Sequence, residues 1–134
     1  MWSAALSAGK ALIYVATDTS GVGGFACGGA VREAVNGYDG ELYAIYLLQA
    51  WQRRGAGRAL VRAVAEALVA NGHKSMVVWV LRENPAVRFY QRLGGIEIAQ
   101  KSIEIGGAVL EDVCFGWRSL EPLTDHGSAE QIFT

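Results

Sequence analysis

The apolar spacing changes period twice between Glu41 and Leu81, and this double change constrains the fold more than any other feature of the chain. Glu41 to Leu48 is dense in Leu, Tyr and Ile and reads as a buried central strand. From Gly57 to Val69 the apolar positions Leu60, Val61, Val64, Ala67 and Leu68 recur at steps of three and four, while Arg58, Arg62 and Glu66 line the opposite side. Met76 to Leu81 is again an unbroken apolar run. A strand, a helix and a second strand in this order form a crossover. Strands 41–48 and 76–81 are therefore expected to be parallel neighbours with the helix on one face.

The remaining segments extend this unit. Ala11 to Thr17 and Val22 to Val31 read as strands separated by the turn Asp18-Thr19-Ser20-Gly21. Asn84-Pro85 starts a second helix, with Asn as cap and Pro at the first helical position, and Gly94-Gly95 ends it. Ile96 to Ile105 and Ala108 to Trp117, joined by Gly106-Gly107, read as a long hairpin. The order is β-β-β-α-β-α-β-β, an α/β domain over residues 1–120, with residues 121–134 as a loosely held tail.

Composition narrows the function classes. Of 134 residues, 51% are hydrophobic and 19% charged, a globular balance. Twelve basic and 13 acidic residues leave a formal net charge of −1, so no whole-chain field favours nucleic acid or an anionic membrane. No run of 18 apolar residues and no signal-like N-terminus occurs, which places the chain in the cytoplasm by expectation. Cys27 and Cys114 form no CxxC or Cys/His pairing, so no metal site is expected and both read as reduced core residues.

The segment Gln52-Arg53-Arg54-Gly55-Ala56-Gly57 sits between the central strand and the helix. The first N–H groups of a helix lack partners, the helix dipole is positive there, and glycine lets the backbone approach a ligand. Arg53, Arg54 and Arg58 add positive charge at the same point. These residues therefore suit an anion, although a plain strand-to-helix turn would read similarly. The pattern G-x-x-x-x-G-K-[ST] is absent. Gly21-Val22-Gly23-Gly24-Phe25-Ala26 has dinucleotide-like spacing, but no helix pattern follows it.

Two blocks together resemble the GNAT superfamily of N-acetyltransferases. One is Gln52-x-x-Gly55-x-Gly57 followed by Arg58-Ala59-Leu60, after a strand ending Ile45-Tyr46-Leu47-Leu48. The other is Asn84-Pro85-Ala86-Val87-Arg88-Phe89-Tyr90-Gln91-Arg92-Leu93-Gly94. The resemblance covers roughly residues 11 to 118. It implies a mixed, mostly antiparallel sheet with a central parallel crossover, flanking helices and acetyl-CoA as acyl donor. It further implies that the amides of Arg53 to Arg58 wrap the pyrophosphate, and that Ile45, Tyr46 and Leu47 pair with the pantetheine arm. One of their N–H groups would polarise the thioester carbonyl, and Asn84 would touch the arm or simply cap its helix.

For the chemistry, the resemblance implies Tyr90 as general acid to the departing thiolate and Glu41 as base toward the acceptor amine, a small molecule or a peptide. Strand alternation would put Glu41, Tyr43, Ile45 and Leu47 on one face. The second glutamate used by some family members falls at Trp79, so that base is absent. The family's first strand and two helices are shortened here, with Trp2 to Ala8 left as the end of the second helix. Either the acceptor side is open, which would favour a homodimer, or another chain or a lost N-terminal part completes it. The alternatives are a non-catalytic acyl-CoA-binding module, or an α/β protein holding another phosphate ligand at residues 52–58.

Overall fold

The computed structural model describes residues 6–8, 11–18, 21–52 and 55–124, with side chains described from Gly21 onward except Trp51. The strands are β1 (Leu6–Ala8), β2 (Ala11–Asp18), β3 (Gly21–Ala30), β4 (Gly40–Leu47), β5 (Met76–Leu81), β6 (Ile96–Ile105) and β7 (Ala108–Trp117). The helices are α1 (Ala56–Ala70), α2 (Ala86–Arg92) and α3 (Glu121–Thr124), and a short 3₁₀ turn spans Gln49–Trp51. The strands form one sheet in the order β1-β2-β3-β4-β5-β7-β6. β4 and β5 are parallel, as the crossover requires, and the other described neighbours are antiparallel.

The core lies between α1, α2 and one face of the sheet. α1 buries Leu60, Val61, Val64, Ala65 and Leu68 against Leu42, Met76, Val78, Val113 and Phe115. Each fully buried Leu, Val or Phe contributes about 1.5–3 kcal/mol, so the period-3.6 stripe holds the crossover together. The helix stops where Asn71 turns its side chain back to the carbonyl of Ala67 (2.8 Å) and Gly72 takes a φ of 90°. α2 adds Tyr90 and Leu93 to the same core, and the indole N–H of Trp117 donates to the Leu93 carbonyl at 3.0 Å. Among the described residues, no helix is long and apolar enough to cross a membrane.

The opposite face is covered differently. The segment between β3 and β4 lays Val35 and Tyr38 over Val77 and Cys114, with Val31, Trp79, Ile98 and Ala99 half-buried at the margin. Asp39 anchors this segment by accepting from the Ser75 hydroxyl (2.8 Å) and the Ser75 N–H (3.0 Å), and from the Lys74 N–H. Burial acts to raise the Asp39 carboxyl, but these hydrogen bonds outweigh it and hold the group below its ordinary value.

Three expectations need correction. Leu6–Ala8 is not the end of a helix. It pairs antiparallel with Ala11–Ile13, because so short a segment beside a strand edge finds its backbone partners there; Trp2–Ala5 lie outside the described residues. Of the loose tail expected over residues 121–134, Glu121–Thr124 instead form α3, which packs against α1 with Leu123 buried, and residues 125–134 lie outside the described residues.

The third correction concerns β4. β3 pairs Gly28 with Leu42 but Cys27 with Ala44, which leaves Tyr43 as an extra residue in a β-bulge. Leu42, Ile45 and Leu47 consequently pack toward the α1 side, while Glu41 and Tyr43 meet Arg32 on the other face. Regular alternation through Glu41, Tyr43, Ile45 and Leu47 is thus broken at the bulge.

Candidate active site

The bulge marks the place where the sheet divides. β4 and β5 pair at Gly40↔Met76, Glu41↔Val77 and Leu42↔Val78 and no further. β3 follows β4 out to Leu47, and β7 follows β5 out to Leu81, so both strands remain extended while parting from each other. Along residues 43–47 and 79–81 the two strands no longer pair with each other. Backbone N–H and C=O groups in such a fork seek an extended ligand as readily as a strand.

The wide end of the fork meets the start of α1. Gly55 precedes the helix with a φ of 80°, a conformation that favours glycine, and turns the chain into the first helical residues. The N–H groups of Ala56, Gly57 and Arg58 have no acceptor within the helix, and no acidic side chain occupies the first turn. Gly57 is glycine for a separate reason. A Cβ there would lie 3.3 Å from both the Leu47 and the Phe89 side chains, so α1, β4 and α2 converge at this residue. Arg58 is exposed, and Gln52 reaches back with its amide to the Leu47 carbonyl at 3.4 Å. Arg53 and Arg54, named in the sequence as part of this loop, lie outside the described residues.

The other named residues separate onto the two sides of the fork. Ile45 and Leu47 face the α1 core, and Tyr46 is exposed with its ring 6.1 Å from that of Phe25. Asn84 caps α2, its side-chain oxygen accepting the Ala86 N–H at 2.8 Å. Tyr90 lies on the α side, 4% exposed, with rings of Phe89, Phe115 and Trp117 around it at 5.4, 6.5 and 6.3 Å. Burial pushes its phenol up to about 12, so it stays protonated and able to donate.

Glu41 lies on the opposite side, 2% exposed. Its carboxylate accepts the Arg32 N–H at 2.9 Å on one oxygen and the Arg32 guanidinium at 2.7 Å on the other. Trp79 is half-buried on this face, with the Lys101 ammonium 4.3 Å from its ring centre.

Two residues of this arrangement are absent from the sequence-based assignment. Arg32, at the end of a strand rich in small residues, reads in sequence only as surface charge; its link to Glu41 depends on a segment that folds back. Phe89 adjoins Gly57 and is visible in the sequence only as the neighbour of Tyr90. The arrangement offers an anion site at a helix start and an extended slot between strands. The Tyr90 phenol lies on the α side of the sheet and the buried Glu41 carboxylate on the opposite face.

Residues 21–103 match the FR47-like protein family. A Bacillus subtilis (strain 168) chain named as the uncharacterized N-acetyltransferase YuaI is 48% identical over 112 residues, which is 83% of this chain. This chain spans 65% of the length of that relative. A GNAT-family structure from Desulfovibrio desulfuricans superposes with a TM-score of 0.68 at 23% identity, covering 83% of this chain and 70% of its own. The structure of yncA from Salmonella typhimurium with its cofactor acetyl-CoA gives 0.67 at 23% identity, covering 82% of this chain and 65% of its own. The fork, the free helix start and these likenesses converge: the chain belongs to the FR47-like family and has the fold of the GNAT acetyltransferases.

Proposed function

We propose that the chain transfers an acetyl group from acetyl-CoA to a primary amine by direct attack, without a covalent enzyme intermediate. The observation that carries this reading is the β4–β5 fork opening onto a start of α1 whose first N–H groups have no partner among the described residues. The N–H groups of Ala56, Gly57 and Arg58 hold the pyrophosphate, and Arg53 and Arg54, which precede them in the sequence, add positive charge. The edge of Ile45 to Leu47 that β5 leaves unpaired pairs with the pantetheine arm, and an N–H of that edge donates to the thioester oxygen as charge develops on it. Asn84 has its side-chain oxygen committed to the helix cap, which leaves its NH₂ to contact the arm. The relatives' names, one an N-acetyltransferase and one a complex with acetyl-CoA, support the same donor.

The two sides of the fork then divide the proton traffic. The amine approaches from the Glu41 side, which is also the Tyr43 and Trp79 side. It must lose a proton to attack, and Glu41 receives that proton through water, each carboxylate oxygen keeping a lone pair beyond its bond to Arg32. The new N–C bond forms as the C–S bond breaks. The thiolate departs toward the α side, where Tyr90 supplies its proton.

The test is CoA release from acetyl-CoA against a panel of small amines, polyamines, lysine and peptide N-termini. Turnover well above hydrolysis with at least one amine is expected. Tight acetyl-CoA binding with no turnover on any of them would leave only the acyl-CoA-binding module. Tyr90→Phe should lower kcat by about 100-fold or more while acetyl-CoA affinity stays within about twofold. Unchanged kcat would remove Tyr90 from the chemistry.

A further inference from the structure

Residues 30–32 and 41–43 are closed onto each other around the bulge. The Tyr43 hydroxyl donates to the Ala30 carbonyl. The Arg32 main chain and side chain each bond one oxygen of Glu41, and the guanidinium carbon lies 4.3 Å from the centre of the Tyr43 ring. One residue outside the sheet therefore grips both side chains that flank Leu42, the last residue of β4 paired with β5.

An exposed arginine paired with an exposed carboxylate contributes little to stability. Here the partners are unequal: the Glu41 side chain is 3% exposed and that of Arg32 60%. A buried carboxylate needs a partner to stay charged, whereas an arginine at the surface does not. Glu41 acts electrostatically on Arg32, on Tyr43 of β4 and on Cys114 of β7. Val77, the β5 neighbour in register, carries no charge. Burial, and next the charge of Glu41, pushes the Cys114 thiol up to about 12, so it remains neutral. Arg32 alone among these is a cation. The contact also raises the guanidinium above its ordinary value, with the Glu41 hydrogen bond as the main cause.

We propose that Arg32 is the positioning residue of the acceptor side, fixing the Glu41 carboxylate and the Tyr43 ring on either side of the fork's vertex. The proposal rests on the reading of Glu41 as base, but it is tested separately. Its main-chain bond to Glu41 survives any substitution, so side-chain variants isolate the guanidinium. Arg32→Ala should lower kcat/KM for the amine by about 10- to 100-fold, with acetyl-CoA affinity within about twofold. The acid limb of its pH–rate profile should change position, a readout that loss of packing alone would not move. Arg32→Lys should return the limb close to its parental position while restoring only part of the rate, since an ammonium keeps the charge but not the planar fork.

A limb that stays in place in Arg32→Ala, with any rate loss matched by a lower melting temperature, would mean a merely structural ion pair and would overturn the proposal. The carboxyl resonance of Glu41, assigned with Glu41→Gln and titrated by carbon NMR in parent and Arg32→Ala, tests the same point without turnover. An unmoved titration overturns the positioning role. A moved titration in a parent that acetylates no amine supports Arg32 and sinks the transferase reading alone.

Discussion

β4 and β5 run together for three residues and then apart, and the two halves of this one strand pair are finished in opposite ways. In the joined half, bulk is excluded. Gly28 lies against Leu42 with no room for a methyl group, and a Cβ at Gly40 would fall 2.6 Å from the Ser75 carbonyl. Behind these rungs Leu42, Met76 and Val78 are buried in the α1 core. In the parted half, Tyr46 is 55% exposed, and the two strands no longer pair with each other. The bulge at Tyr43 stands between the halves and reverses which residues look toward α1. A sheet that would close along its whole length is thus held open by one extra residue and by the arrival of α1 and α2 at its far end.

The largest effect is expected from blocking the parted half where it meets α1. Gly57→Glu places side-chain bulk against Leu47 and Phe89, and a negative charge beside the free N–H groups. A carboxylate suits a helix start, so the fold should persist while a pyrophosphate is repelled. Acetyl-CoA affinity should fall at least ~100-fold, about 2.7 kcal/mol, measured by calorimetric titration. Gly57→Ala should bind far better than Gly57→Glu, because its Cβ needs only a small yielding of two side chains. Retained affinity in Gly57→Glu would place the pyrophosphate elsewhere.

The joined half can be broken by a single methyl group. In Gly28→Ala the new carbon would lie 2.6 Å from the Glu41 carbonyl and 2.8 Å from a Val64 methyl. The carbonyl belongs to the paired part of β4 and cannot rotate away, so the strand must shift. A loss of about 1–3 kcal/mol is expected from denaturant unfolding. A change below about 0.5 kcal/mol would show that this half is looser than its geometry implies.

The joined half is also the part that the sequence made legible. The strand, helix and strand between Glu41 and Leu81 follow from periodicity, and the turns at Asn71-Gly72 and Gly106-Gly107 follow from the need for positive φ. The hairpin of β6 and β7 closes across Ile105↔Ala108 as those glycines require. The bulge left no such trace. Glu41-Leu42-Tyr43-Ala44-Ile45-Tyr46-Leu47 reads as an ordinary run, and only the register against β3 shows that Tyr43 is extra. The same holds for Arg32, whose role comes from a segment pinned by Asp39 to residues 74 and 75, contacts more than 30 positions apart in the chain. Of the candidate site, the residue types at the helix start and at Tyr90 were readable. The placing of Tyr90 and Glu41 on opposite sides of a split sheet was not, because that depends on the bulge in β4.

The smallest effect sharpens the comparison at the outer end of the parted half. Asp112 pairs in register with Leu81, the last residue of β5, and with Lys101 of β6. Burial raises its carboxyl above the ordinary value, and Lys101 opposes this only in part. A raised value in the folded state means that the folded chain prefers the neutral form. The associated stability is therefore fully present below the ordinary value of 3.8 and is lost as pH rises through the raised one. At neutral pH Asp112 is a small cost rather than a support. Asp112→Asn should gain about 0.5 kcal/mol or less at pH 7 and lose that advantage as pH falls below the raised value, followed by denaturant unfolding at both ends of the range. The joined half would not tolerate an unneutralised carboxylate in this way: its own acid, Glu41, is held by two bonds to Arg32. Loss of stability in Asp112→Asn at pH 7 would mean that this carboxylate has a partner in solution, and that the parted half is as tightly built as the joined one.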